Sequence, residues 1–154
     1  RGRDLSSGLL RAAAAAAAAS RETGRIGRAR AYVEIDLGGP VSFGAYSYIT
    51  DAFHLLGART LFEDLRTEWL TPDLGRVASE DPDCIFYEAK MYSRFAGGDL
   101  ERMLDRRGWR GLRAVRAGRC FLTPGPLDFI AHHGPSFIIE TLPWLSQRLG
   151  SAEG

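Results

Sequence analysis

The chain has little cysteine, almost no lysine and no long apolar run. Only two of its 154 residues are cysteines, Cys84 and Cys120, and neither belongs to a CxxC pair or to a spacing typical of a metal site. Both stand in apolar, strand-like segments, so we expect buried thiols without a redox role. No apolar run approaches the length that spans a bilayer, and the first residues lack the layout of a secretory signal.

Positive charge is almost entirely arginine, since Lys90 is the only lysine among 20 basic residues. Residues 1–30 carry seven arginines against two acidic residues, whereas residues 31–154 carry 13 basic and 17 acidic side chains. This mildly acidic main part does not suit a nucleic-acid partner. A composition of 45% hydrophobic and 25% charged residues is typical of one soluble globular domain.

The N-terminal segment contains eight consecutive alanines, Ala12 to Ala19. Alanine is the strongest helix former, so the sequence predicts a helix over 5–21. Its alanines give that helix no distinct apolar face to pack. We therefore interpret residues 1–30 as an Ala-rich connector helix and turn, and residues 31–150 as the folded domain.

Strand-like and helix-like segments alternate along residues 31–150. Parallel strands need crossover connections, so this alternation predicts a three-layer α/β/α fold with a mostly parallel sheet of about four strands. Thr71 and Pro72 are read as the N-cap and first turn of one helix, and Pro143 should kink or split the last one. The predicted strands cover 31–37, 84–87 and 119–122, and the predicted helices start near 44, 71, 99 and 134.

Ligands of such sheets bind at the carboxyl ends of the strands. The segments to consider are those after Asp36, after Tyr87 and after Thr123, together with the segment around Trp69. The Trp69 indole could cover a flat ligand or the core, and the sequence leaves both interpretations open. The segment 87–95 carries more apolar surface than a simple connection needs, which favours ligand contact.

Two other patterns resemble parts of a phosphate site and of a metal site but match neither motif in full. The loop from Asp36 to Gly44 lies between a strand and a helix, where a tight turn or a phosphate site would both fit, but it is neither GxGxxG nor a P-loop. The adjacent His132 and His133 lack the further ligands of a zinc centre, so no metal site is predicted. No GxSxG elbow is present, which argues against a Ser/His/Asp hydrolase.

From about residue 30 to 149 the chain resembles the C-terminal lobe of class III periplasmic substrate-binding proteins, which serve ABC importers of vitamin B12, ferric siderophores and haem. The resemblance is carried by YVEI, then FGAYSYITDAFHLLGA, PDLGRVASEDPDCIF and GWRGLRAVRAGRCFLTPGP, in that order. The stretch DLRTEWLTPDLGRVASEDPDCIF is most similar to vitamin B12-binding members. The resemblance implies a binding protein that is not an enzyme and needs no cofactor.

The resemblance also implies which residues face the ligand, with Trp69 packing against a corrin. These are Tyr46, Ser47, Trp69, Met91, Tyr92, Asp128, Phe129 and His132. The expected ligand is cobalamin or a related corrinoid, held between two lobes of which this chain is one. Two alternatives stay open: a haem or ferric-siderophore binder of the same family, and a small α/β enzyme that binds a phosphorylated ligand at the Gly38–Gly44 loop.

The family's partners are implied in the same way. The ligand-loaded protein docks on an ABC transporter permease through a glutamate of each lobe, in the periplasm or at the outer face of the membrane. At the matching position this chain has Gly75, and Asp73 is the acidic residue expected to replace the glutamate. The connector of residues 1–30 would be a remnant of the inter-lobe helix, and the cleft would be completed by an N-terminal lobe or a second copy.

Overall fold

The computed structural model describes residues 2–22, 29–89, 98–125 and 128–150. None of the helices within these ranges is both long and apolar enough to cross a membrane. The strands are β1 Arg30–Asp36, β2 Pro40–Phe43, β3 Arg59–Thr60, β4 Trp69–Leu70, β5 Cys84–Glu88 and β6 Cys120–Leu122. The helices are α1 Gly2–Glu22, α2 Tyr48–Leu55, α3 Leu74–Glu80, α4 Asp99–Arg107, α5 Arg113–Arg116 and α6 Leu142–Gly150.

The strands form one six-stranded sheet in the order β4-β2-β1-β5-β6, with β3 paired to the start of β1. Strand β1 runs parallel to β3 and β5, and β5 runs parallel to β6. Only β2 introduces antiparallel pairs, one with β1 and one with β4. The mostly parallel α/β fold predicted from the sequence is therefore confirmed, although the sheet has six strands instead of about four.

One of the unpredicted strands, β2, comes from the Asp36–Gly44 segment that the sequence analysis treated as a loop. After β1 the chain turns at Gly38, whose positive φ of 93° suits glycine, and returns as β2 with Val41 opposite Ile35. The Gly-Gly-Pro signal thus marks a hairpin turn inside the sheet. Strands β3 and β4 have two residues each, too few to show a period-2 pattern.

Both faces of the sheet are covered, as a three-layer fold requires. Ala31, Val33 and Ile35 of β1 pack with buried residues of α2 and α6 on one face. The alternate residue Tyr32 packs on the other face with buried side chains of α3 and α4 and with Trp109, whose ring lies 5.6 Å from that of Tyr32. Alternation along one strand therefore serves two separate core clusters.

Two helix boundaries differ from the sequence prediction. Helix α3 is capped by Asp73, whose carboxylate accepts the Arg76 N–H at 3.0 Å, so Thr71 and Pro72 precede the helix instead of starting it. The last helix is not broken at Pro143. A π-helical turn, Phe137–Thr141, leads directly into α6, so the helix changes its hydrogen-bonding pattern just before Pro143 and continues through it.

Helix α1 packs on α6 through its alanines. Ala16 and Ala17 are buried, and the Ser146 hydroxyl of α6 donates to the Ala16 carbonyl at 3.3 Å. Small side chains let the two backbones approach closely enough for that hydrogen bond. The sequence analysis missed this contact because it looked for large apolar residues.

Both cysteines are free thiols on neighbouring strands, Cys84 buried in β5 and Cys120 half-buried in β6. Burial raises the pKa of Cys84 to about 12 and that of Cys120 to about 11. Few thiolates therefore form at neutral pH, which is how packed, unreactive cysteines behave.

The chain from Leu65 to Glu68 is held against the start of the α2 segment by main-chain hydrogen bonds. The N–H groups of Gly44, Ala45 and Tyr46 donate to the carbonyls of Glu68, Leu65 and Thr67 at 2.8–3.2 Å. A Cβ built on Gly44 would lie 2.5 Å from the Thr67 carbonyl oxygen and 2.6 Å from that of Leu65. Only glycine permits this approach of backbone to backbone.

We expect Gly44→Ala to lower the free energy of unfolding by about 2–3 kcal/mol, because the added methyl group must displace main-chain atoms. Gly39→Ala is the matched control, since nothing lies within 4 Å of a Cβ there. Urea unfolding followed by circular dichroism measures both variants. Equal stability of the two variants would contradict the close approach at Gly44.

Candidate functional site

An apolar cavity opens on the α2 side of the sheet, with a volume of about 140 Å³. Its floor is formed by strands β1 and β2, and its walls by the start of α2, the end of the 61–68 loop and the loop after β6. The lining residues are Ile35, Leu37, Val41, Phe43, Ser47, Tyr48, Ile49, Glu68, Trp69, Ala131 and His133. Most of them are aliphatic or aromatic, which suits an apolar ligand better than a small ion.

Trp69 forms one rim of this cavity. It lies in edge strand β4 opposite Phe43 of β2, and 60% of its surface is exposed. An indole packed into the core would be largely covered, so this one is available to a ligand. Covering the exposed ring would contribute about 2–4 kcal/mol of apolar contact.

Tyr48 and His133 form the opposite wall. Their rings lie 4.5 Å apart, and the Tyr48 hydroxyl donates to the Ile130 carbonyl at 2.8 Å. This hydrogen bond fixes the first turn of α2 against the last loop. Burial, together with the negative charges of Glu88, Asp128 and Glu68, raises the pKa of Tyr48 to about 12, so the hydroxyl stays a donor at physiological pH.

The last loop is held by a buried carboxylate of the central sheet. Glu88, at the end of β5 and 4% exposed, accepts the N–H groups of Phe129, Ile130 and Ala131, the last two at 2.9 and 3.0 Å. Burial raises the pKa of Glu88, and the three N–H donors oppose that rise. Because Ala131 and His133 line the cavity, Glu88 determines where one of its walls stands.

The residues expected before α2 and on β4 occupy different positions around the cavity. Trp69 and Ser47 line it. Ser47 is also the N-cap of α2, where its hydroxyl accepts the Ile49 N–H at 3.2 Å. Tyr46 is 65% exposed beside the cavity but does not line it.

The residues expected in the last loop are divided between the core and the surface. Phe129 packs against Trp144 with ring centroids 5.3 Å apart, and the His132 ring contacts Phe137 at 6.0 Å. Asp128 is exposed. None of these three residues lines the cavity, although Asp128 carries a charge that acts on Tyr48.

Three further predictions concern other places in the chain. Met91 and Tyr92 lie outside the described residues. The expected permease contact, Asp73, is exposed, and its carboxylate already accepts a hydrogen bond as the cap of α3. A role of Asp73 in docking stays a prediction.

The cavity also contains residues that the sequence analysis did not assign to the ligand. These are Ile35, Leu37, Val41, Phe43, Tyr48, Ile49, Glu68, Ala131 and His133. Val41 and Phe43 could have been found from the apolar alternation in PVSF, had β2 been recognised as a strand. Choosing between His132 and His133 requires the loop conformation, because adjacent residues point in different directions.

The Gly38–Gly44 segment offers little to a phosphate. Its end and the following helix start have their N–H groups engaged, since those of Gly44, Ala45, Tyr46 and Ser47 all donate to carbonyl oxygens. A polar depression of about 270 Å³ beside Gly38 and Gly39 lies on the opposite face of the sheet. There the Arg107 guanidinium is paired with Glu34, so its charge is already neutralised.

Comparison with protein families assigns the chain to a known family. The periplasmic binding protein family matches residues 1–127 of the chain. The chain belongs to that family. A comparison with curated proteins found no match.

Solved structures of similar fold come from the same group. A periplasmic haem-binding protein from Roseiflexus sp. RS-1 has a TM-score of 0.74 at 18% identity, covering 99% of this chain and 56% of its own. A Fe³⁺-hydroxamate transport protein from Saccharomonospora viridis has a TM-score of 0.73 at 20% identity, covering 97% and 49%. A second haem-binding protein, solved with two haems bound, has a TM-score of 0.71 at 22% identity, covering 98% and 56%.

These similarities establish the fold of one lobe of a periplasmic binding protein. The chain spans about half the length of the solved structures it matches. The named structures are binding and transport proteins, not enzymes. The family member described here therefore presents a lobe whose cavity lies on one face of the sheet.

We expect Glu88→Ala to lower the free energy of unfolding by about 2–4 kcal/mol, because three N–H groups lose their acceptor. Glu88→Gln keeps one oxygen and should cost less. Hydrogen exchange of the amides of residues 129–131 should accelerate in both variants, and Glu34→Gln, on the opposite face, should leave that exchange unchanged. Unchanged exchange in Glu88→Ala would contradict the role of the carboxylate.

The contribution of Glu88 to the stability of the fold should depend on pH, and the direction follows from its raised pKa. The folded state binds the Glu88 proton more tightly than the unfolded state, so this group stabilises the fold most at low pH, and the contribution is lost as pH rises through its raised pKa. The stability of the wild type relative to Glu88→Gln should therefore fall over that range, measured by urea unfolding at several pH values.

Proposed function

We propose that the chain is a ligand-binding lobe of an ABC importer's substrate-binding protein and that its cavity receives one side of a bulky metal chelate. Cobalamin or a related corrinoid is the first candidate. The observation that carries the proposal is the apolar cavity rimmed by an indole that is 60% exposed. A lobe needing only a stable core would cover that indole.

The cavity's chemistry suits binding without catalysis. Its floor offers Ile35, Val41 and Phe43, and its polar lining groups are Ser47, Tyr48, Glu68 and His133. Apolar contact would supply most of the affinity, and the few polar groups would set the orientation of the ligand. Delivery of a ligand to a permease requires reversible binding and no chemical step.

A haem or ferric siderophore is the second candidate. Its support is the structural similarity to haem-binding proteins and to a Fe³⁺-hydroxamate transport protein. The His133 imidazole lies in the cavity wall, where a nitrogen could approach a metal ion. The Gly38–Gly44 loop gives little support to an enzyme that binds a phosphorylated ligand, because the N–H groups from Gly44 to Ser47 already have carbonyl acceptors.

The partners in this proposal are a permease and a second wall of the cleft. The permease would meet the lobe on a surface near Asp73, and the second wall would come from another lobe or from a second copy of the chain. Such a protein would work in the periplasm or at the outer face of the membrane.

Replacing Trp69 should weaken chelate binding while leaving the fold intact. We expect Trp69→Ala to raise the dissociation constant for cyanocobalamin or haemin about tenfold or more, because a large apolar contact is lost. Leu10→Ala removes another exposed apolar side chain, 72% exposed and on α1, and serves as the control. Equilibrium dialysis with detection of the coloured chelate measures all three proteins. Equal affinities of wild type and Trp69→Ala would contradict the proposed cleft.

We also expect this lobe alone to bind a corrinoid weakly, because it supplies only one wall of the cleft. Because the 154-residue chain offers a cavity of only about 140 Å³, most of a corrin would stay in water. The dissociation constant should therefore be micromolar or higher, which corresponds to a standard binding free energy of about −8 kcal/mol or less favourable. Isothermal titration calorimetry measures it, and submicromolar binding by this chain would show that no second wall is needed.

A further inference from the structure

The charges around the cavity restrict which metal chelate it can accept, given the function proposed above. Among the described residues that line the cavity, none is arginine or lysine, and His133 is the one basic side chain. Glu68 contributes a carboxylate to the wall beside Trp69. The part of the lining that the structure describes therefore carries a carboxylate and no arginine or lysine.

A second carboxylate stands near the same wall. Asp128 directly precedes Phe129, whose N–H donates to Glu88, and its charge acts on both Tyr48 of the cavity wall and Glu88. Among the described residues, those whose charges act on Tyr48 are all acidic: Glu88, Asp128 and Glu68. Tyr87 on the opposite face is different, because Arg107 and Arg106 there oppose the negative charges of Asp36 and Glu34.

Basic residues near the cavity do not neutralise these carboxylates. Within the described ranges, no ion pair joins Glu68 or Asp128 to a basic side chain. Arg59 is paired with Glu63 and Arg76 with Asp64, both in or beside the 61–68 loop. Arg66 is exposed and does not line the cavity.

We propose that the cavity selects a metal chelate without net negative charge, that is a corrinoid or a neutral or cationic ferric hydroxamate, and discriminates against haem and ferric catecholates. Trp69 and the strand floor attract any apolar face, so they do not distinguish these ligands. A propionate or a catecholate brought beside Glu68 and Asp128 would be repelled, whereas an amide, an ammonium group or a neutral hydroxamate would not.

The test compares chelates of similar size that differ mainly in charge. The first series is ferrioxamine B, which carries an ammonium group, with its N-acetyl and N-succinyl derivatives, which are neutral and anionic. The second is cyanocobalamin and the monocarboxylic acid made by hydrolysing one of its side-chain amides. We expect dissociation constants to rise about three- to tenfold for each unit of charge made more negative, and 0.5 M NaCl to narrow the difference.

Variants test whether the dependence of affinity on ligand charge arises at the cavity. The double variant Glu68→Gln with Asp128→Asn should reduce the ratio between anionic and neutral members to less than about twofold. Glu101→Gln removes one negative charge from the exposed surface of α4, on the other face of the sheet, and should leave the ratio unchanged. Circular dichroism and urea unfolding establish that each variant is folded.

The outcomes separate this inference from the function on which it rests. Failure of both series and of haemin to bind would overturn the proposed function. Binding in which the anionic member is held as tightly as the neutral one, or haemin more tightly than both series, would overturn the charge selection alone. An equal change in Glu101→Gln would also overturn it, because the effect would then be one of net charge.

Discussion

The position of the cavity depends on a buried carboxylate with three main-chain donors. Glu88 is a costly side chain to bury at the end of a central strand, and its raised pKa expresses that cost. No uncharged side chain offers two oxygens that together accept three N–H groups. The fold tolerates the charge because it fixes the loop that carries Ala131 and His133. Glu88 thus gives one wall of the cavity a defined position, although burying its charge lowers the stability of the fold.

The opposite wall is fixed without charge. Gly44 lets the carbonyls of Leu65 and Thr67 approach the start of the α2 segment, and main-chain hydrogen bonds then hold Glu68 and Trp69 at the cavity rim. Two irregular segments are therefore tied to the regular sheet by different means. Their separation, and with it the width of the cavity, follows from the distance between β4 and the end of β5 in the same sheet.

The sequence predicted most of the longer elements, and the short strands β2, β3 and β4 were missed. Strands β1 and β5 and helices α2 and α4 were found because their apolar residues repeat over several positions. Strand β2 was missed since Gly38, Gly39 and Pro40 resemble a loop start. The ligand edge was predicted from topology, but Tyr48 and His133 were not assigned, because the side-chain directions in a turn follow from hydrogen bonds between distant residues.

The packing of α1 on α6 has a mechanical consequence. Helix α1 contacts both α6 and the π-helical turn, and Thr141 of that turn donates to the Phe129 carbonyl in the last loop. The start of α1 lies about 14 residues, or about 21 Å, from the contact at Ala16, so a tilt of about 5° about that contact would move it by about 2 Å. A force on the start of α1 would therefore reach the last loop through α6, the π-helical turn and the hydrogen bond from Thr141 to Phe129.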